Sequence, residues 1–240
     1  MTTPTALDSF LDKWRARWPE WAVAEVFVAA DLRERTLAWF ALLQEFDGIL
    51  NIAGDPLPAD AKLGWWATEL RDWAGHRSRH PLGRLLEPVP APWTRLADAL
   101  PELIAAREPQ ADGHAALASL AGYAAAVADV EAAVLGSPSA GLQALAAQVL
   151  ATRLAEAGLQ AVPRALQPSG TDAASREQAQ RGWARELLAA WPPRAGGSPA
   201  RRMWSAFARQ RLGQFASGQL PQPGRQPLRL LWRAWRAARG

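Results

Sequence analysis

The chain has 240 residues, 27 Lys and Arg against 23 Asp and Glu, 49% hydrophobic residues and no cysteine. That is ample material for one large domain with a buried core, and it is not the composition of a disordered chain. The absence of cysteine excludes disulfides, thiol nucleophiles, zinc–thiolate sites and iron–sulfur clusters. The net charge of +4 is unevenly spread: ten arginines and no acid follow Glu186, so it divides into +10 after that residue and −6 before it.

Taken in chain order, almost every segment reads as helix. Ala and Leu dominate, β-branched residues are scarce, and apolar residues recur at three- and four-residue spacing. Leu7, Phe10, Leu11, Trp14 and Trp18 form one stripe, ended by Pro19, and a second segment runs from Trp21 to Ala30. A long helix is predicted over 32–52, broken by Gly54-Asp55-Pro56, and another from Pro58 to Trp73, stopped by Gly75. A basic, irregular piece follows, His76 to Pro81, then a short helix and a rigid connector with Pro88, Pro90 and Pro92. Further helices are predicted over 93–107, 112–135, 139–157, 172–191, 200–216 and 227–239. The organisation expected is a helical bundle core over 1–191, a Pro- and Gly-rich loop at 192–199, and basic helices over 200–240 packing on the same domain. No basic n-region precedes an apolar stretch near Thr2–Asp12, and no run reaches the roughly 18 apolar residues of a membrane-spanning helix. The expected location is cytoplasmic, or peripheral to the inner face of a membrane.

Common chemical motifs are missing. No phosphate-binding glycine loop and no serine nucleophile elbow occurs. His76 and His80 are four apart, but Pro81 pushes His80 out of helical geometry, which argues against a metal pair. The arginine-rich C-terminal piece has three readings: a solvated basic face, contact with anionic lipid, or nucleic-acid binding, the last being the least expected. For the lipid reading, Arg229, Arg233 and Arg236 with Leu230, Leu231, Trp232 and Trp235 would form a basic amphipathic helix.

Two pieces carry a family resemblance. One is Glu34 to Asn51, with Gln44, Asp47, Gly48 and Asn51 near its end. The other is Lys62-Leu63-Gly64-Trp65-Trp66-Ala67-Thr68-Glu69-Leu70, continued by Gly75 to Leu82 with His80-Pro81. In order and spacing they resemble the squalene/phytoene synthase family, whose members carry an R-x-x-D-D-x-x-D helix, a W-W-x-x-E-L helix and a G-x-x-x-H-P turn. Weaker likenesses lie at Tyr123 with Val127-Ala128, at Val162-Pro163-Arg164, and at Pro227 to Trp232. The resemblance implies a single all-α domain, an isoprenoid-synthase-like bundle around a central apolar cavity. It also implies head-to-head prenyl transfer with diphosphates held by Mg²⁺ on two aspartate-rich helices.

The chain departs from that pattern at the metal ligands. Asp47 keeps the first aspartate position, but Gly48 and Asn51 stand at the other two and Gln44 replaces the arginine. On the second helix, Gln148 and Arg153 match the family, yet the aspartates after the arginine are missing and Glu156 is the only acid. One Asp and one Glu do not neutralise a cluster of Mg²⁺ and diphosphates, so prenyl transfer is expected to be lost or severely impaired, with no cofactor. Mg²⁺ enters only if synthase activity remains, through Asp47. The leading expectation is a catalytically degenerate relative that keeps a cavity for an isoprenoid or other lipid. The alternatives are a protein-interaction or assembly factor of the same fold, with a protein partner, and an active transferase with a reduced Mg²⁺ site. Any surviving site is expected between the helices of Asp47 and Gln148. Asp47, Asn51 and Gln44 would stand on one side, with Tyr123, Gln148 and Arg153 facing them as substrate-binding residues.

Overall fold

The computed structural model describes residues 5–170, 172–219 and 227–240, and among them the chain is all-α, with no strand. Thr2 and Arg225 lie outside the described residues. Helix α1 (Ala6–Arg17) opens on a capping box: the Thr5 hydroxyl accepts from Asp8 N at 3.2 Å and the Asp8 carboxylate accepts from Thr5 N at 2.8 Å. The segment after Pro19 holds only one α turn, α2 (Trp21–Ala24), followed by 3₁₀ turns. Helix α3 (Arg33–Leu50) is the central element, with Trp39, Phe40 and Phe46 fully buried. Helix α4 (Leu57–Ala74) takes Pro58 in its first turn, where a missing N–H costs nothing. Trp65 and Trp66 point about 100° apart on it; Trp66 is in the core and Trp65 is exposed.

The irregular piece after Gly75 is tied down by acids, Asp72 and Glu87 at its surface and Glu69 beneath it. Glu69, fully buried, accepts from Arg79 N at 2.6 Å, His80 N at 2.7 Å and Trp73 Nε1 at 2.9 Å. Burial opposes the charge, but the hydrogen bonds from the His80 and Arg79 backbone outweigh it, and the carboxyl sits below its ordinary range. His80 accepts from Leu82 N at 3.2 Å and packs between Phe10 and Trp66, so it has a structural setting.

After α5 (Gly83–Leu86), two predicted helices are each divided. Pro101 splits 93–107 into α6 (Trp93–Ala99) and α7 (Pro101–Ala105), because it cannot donate to the α6 ladder. The 112–135 segment becomes α8 (Gly113–Ala118) and α9 (Ala121–Leu135). The start of α9 is capped from outside: the Glu102 carboxylate accepts from Tyr123 N at 2.7 Å. Gly122 permits this, since a Cβ there would lie 2.0 Å from the Glu102 oxygen. Contrary to the sequence reading, Gly113–Leu135 is long and apolar enough on composition alone to cross a membrane, with mean hydropathy 1.4. Half of it is buried within this fold, and α9 packs on α3, α6 and α10.

Helix α10 (Leu142–Ala157) leads to α11 (Ala173–Ala190), capped by Asp172, which accepts from Ser175 N at 2.9 Å. The 192–199 loop lies against the body: Gly141 N donates to Ala195 O at 2.7 Å, and Gly196 and Gly197 supply the positive φ that this close approach needs. Helix α12 (Pro199–Ala216) starts at Ser198, whose hydroxyl accepts from Arg201 N at 3.0 Å, and packs on α10, α11 and α13 (Pro227–Arg239). Its residues Arg201, Met203, Trp204 and Phe207 are buried, and Trp204 closes a core aromatic cluster with Trp14 and Phe40.

Candidate functional site

Four helices frame one large cavity of about 730 Å³. From α3, positions 44, 47, 48 and 51 share one face by helical spacing and turn toward it. Helix α10 presents Ala151, Thr152 and Ala155, α1 presents Lys13 and Arg17, and α12 presents Trp204, Ala208, Arg211 and Phe215. The alanines of α10 leave the volume unfilled, and Trp18, Trp204 and Phe215 make its walls apolar. A Cβ placed on Gly48 meets nothing within 4 Å, so the space at the second motif position is open.

Asp47 is the hinge of the site. It lines both this cavity and an inner one of about 20 Å³, the size of a single water, bounded by Tyr123, Gln148, Arg201 and Trp204. One face of Asp47 opens to the cavity, and protein surrounds the rest. Desolvation therefore raises its pKa to about 7, against the opposing pull of Arg17 and Arg201. The same burial, with the Asp47 charge nearby, pushes the Tyr123 hydroxyl well above its ordinary value. Around Asp47 the amide oxygens of Gln44 and Gln148 and the indole N–H of Trp204 are buried without partners. Such groups are costly unless something bonds to them.

The cations of the rim are already engaged. Lys13 donates to Glu45 at 2.7 Å, and Arg17 is paired with Glu156. Arg211 donates to Glu20 at 2.6 and 2.8 Å and lies 4.0 Å over the Trp18 ring.

Of the residues named from the sequence, Gln44 and Asp47 line the large cavity and Asp47, Tyr123 and Gln148 the inner one, while two others are placed differently from their expected roles. Arg153 does not line either cavity: its guanidinium donates to Leu50 O at 3.4 Å, to Asn51 Oδ1 at 3.3 Å and to the Arg107 carbonyl. It satisfies the open C-terminus of α3, where the last carbonyls have no helical donor. Asn51 stands at the cavity rim, but its side chain is spent on the same closure, since its Nδ2 donates to Asp47 O at 2.9 Å.

This donor set does not fit a Mg²⁺–diphosphate cluster. The Asp47 carboxylate stands alone, the Glu156 carboxylate is held by Arg17, and Asn51 brings no charge. Among the described residues no three His, Cys, Asp or Glu side chains converge as metal ligands would.

Sequence reasoning missed the ion pair behind the site. Glu131 on α9, 1% exposed, accepts from Trp39 Nε1 at 2.7 Å and from Arg201 Nε at 2.9 Å. Arg201, 2% exposed, is stacked 4.7 Å from Trp204 and 5.0 Å from Phe40. The available signal was Glu131 itself, an acid followed by the apolar Ala132, Ala133, Val134 and Leu135 on the Ala- and Val-rich α9, which demands a partner once buried. Compared with models of protein families, with characterised proteins and with solved structures, the chain matches none.

Proposed function

We propose that the protein is a squalene/phytoene synthase-like bundle that has lost prenyl transfer and binds an isoprenoid or other lipid with a neutral or small polar head. The observation that carries this reading is the large apolar-walled cavity whose lining cations are each paired with an acid. A diphosphate entering it would find no uncommitted cation in Lys13, Arg17 or Arg211 and no cluster of carboxylates to hold Mg²⁺. An apolar chain would bury its surface against Trp18, Trp204 and Phe215, which is favourable by about 25 cal/mol per Å². A hydroxyl or carbonyl at its end would meet the unpartnered groups around Asp47, which near neutral pH is both donor and acceptor.

The test is a titration of purified protein with an isoprenoid alcohol, followed by native mass spectrometry, beside the cavity-filling variant Ala155→Trp. Ala155 lines the cavity from an exposed position on α10, so the larger side chain enters the cavity without disturbing the core. Binding to the wild-type chain and its loss in Ala155→Trp support the reading; equal binding to both rejects it. Mg²⁺-dependent release of diphosphate from farnesyl or geranylgeranyl diphosphate would replace it with a working transferase.

A further inference from the structure

We infer that α13 is an interfacial helix that lays its outer face on an anionic lipid surface. The inference does not rest on the cavity. Helix α13 is apolar over one broad arc, with Leu230 and three alanines along one flank, the small face, and Leu228, Leu231, Trp232 and Trp235 along the other, the bulky face. The small face does the docking: Ala234 is fully buried, and Ala237 and Ala238 pack on the core. Arg202 of α12 fixes that pose by donating to Ala237 O at 3.0 Å and also to the Ala238 carbonyl.

The bulky face points to solvent. Leu228 is 81% exposed, Trp232 57%, Trp235 40% and Leu231 37%. These four share one side by helical spacing and are four of nine large apolar side chains exposed among the described residues. Val26, also exposed, sits on the 3₁₀ turn that α13 packs against. Scattered exposed apolar residues need no explanation, but a contiguous row on one helix does.

Charge selects the occupant. Arg229, Arg233, Arg236 and Arg239 accompany the row, and no acid lies on the helix. The guanidinium carbons of Arg236 and Arg239 lie 5.5 and 4.5 Å from the Trp232 and Trp235 ring centres. Leucine and indole rings entering the acyl boundary, with arginines held at headgroup level, match the chemistry of an anionic bilayer surface. A second copy docking through this face would set the cationic row against itself. A nucleic acid would engage the arginines but give Leu228 and Leu231 nothing apolar to meet.

The test is sedimentation of the full chain with vesicles of phosphatidylcholine alone or mixed with phosphatidylglycerol, at low and high salt. Partitioning is expected to be at least about tenfold stronger on the anionic vesicles and to weaken with salt. The pair Trp232→Ser and Trp235→Ser is expected to lower it by about tenfold. The pair Arg229→Gln and Arg236→Gln is expected to lower it by about tenfold and flatten the salt dependence. Leu57→Ser, at an exposed apolar position on α4, is expected to leave it unchanged, and urea unfolding shows that each variant is folded. The inference is overturned if the chain does not pellet with anionic vesicles or if the α13 variants pellet like the wild type. It is also overturned if those variants instead abolish a dimer or a DNA gel shift in a protein that ignores vesicles.

Discussion

Helices α12 and α13 are neighbours in the chain, each with four arginines and no acid, and they meet opposite fates. In α12, Arg201 falls on the same face as Trp204, Ser205 and Ala208, so packing that face carries a cation into the core. It is tolerated there because Glu131 arrives from α9 and aromatic rings cover its faces. In α13 the arginines avoid the small-residue face, so that face docks without burying charge and the leucines and tryptophans are left outside. An identical charge count thus yields an internal ion pair in one helix and a surface in the other. What separates them is the phase of the arginines relative to the face that packs.

The largest effect expected from breaking that contrast is at Glu131. Glu131→Gln leaves Arg201 charged and buried, and chemical denaturation is expected to show a loss of about 3–5 kcal/mol. Replacing both partners, Glu131→Leu with Arg201→Met, is expected to recover most of it, because neither residue then carries a buried charge. Arg211 is intermediate, paired with buried Glu20 at the cavity rim and stacked on Trp18. Arg211→Met should cost about 2 kcal/mol in the same measurement.

Asp47 tests the field of Arg201 from the other side. Its folded pKa of about 7 lies above the ordinary 3.8, so its contribution to stability is fully present below 3.8 and is lost as pH rises through about 7. Asp47→Asn is therefore expected to stabilise the protein at pH 8 by about 1–2 kcal/mol, less than the full shift implies because one face meets the cavity. At pH 4 the gain should vanish; urea midpoints at the two pH values check the sign. The smallest effect is expected on α13: Trp232→Ser with Trp235→Ser should change stability by no more than about 0.5 kcal/mol, because both rings lie outside the packing. A loss as large as that at Glu131 would show that the bulky face of α13 is folded inward after all.

Much of the bundle was legible in the chain because helix signals are local. Pro58, Gly75 and the stripe of α3 each act within a turn or two, and the structure follows them. The predicted 112–135 helix failed for a non-local reason: its break is organised by Glu102, brought in from α7. The site divides in the same way. The α3 face of Gln44, Asp47 and Asn51 follows from spacing, and so does the shortage of acids opposite it. The diversion of Arg153 to the end of α3, the pairing of Arg17 with Glu156 and the buried setting of Asp47 depend on which helices meet.

By itself, then, the sequence determined an all-α chain without cysteine chemistry. It also determined that the positive charge gathers after Glu186. Only the tertiary structure decided where that charge goes. Helix periodicity says which residues share a face, but not which face is packed or what waits opposite it. Glu131 reaches Arg201 across 70 positions of chain, and Ala234 rather than Trp232 turns inward, because desolvating a cation depends on partners that only packing brings within reach.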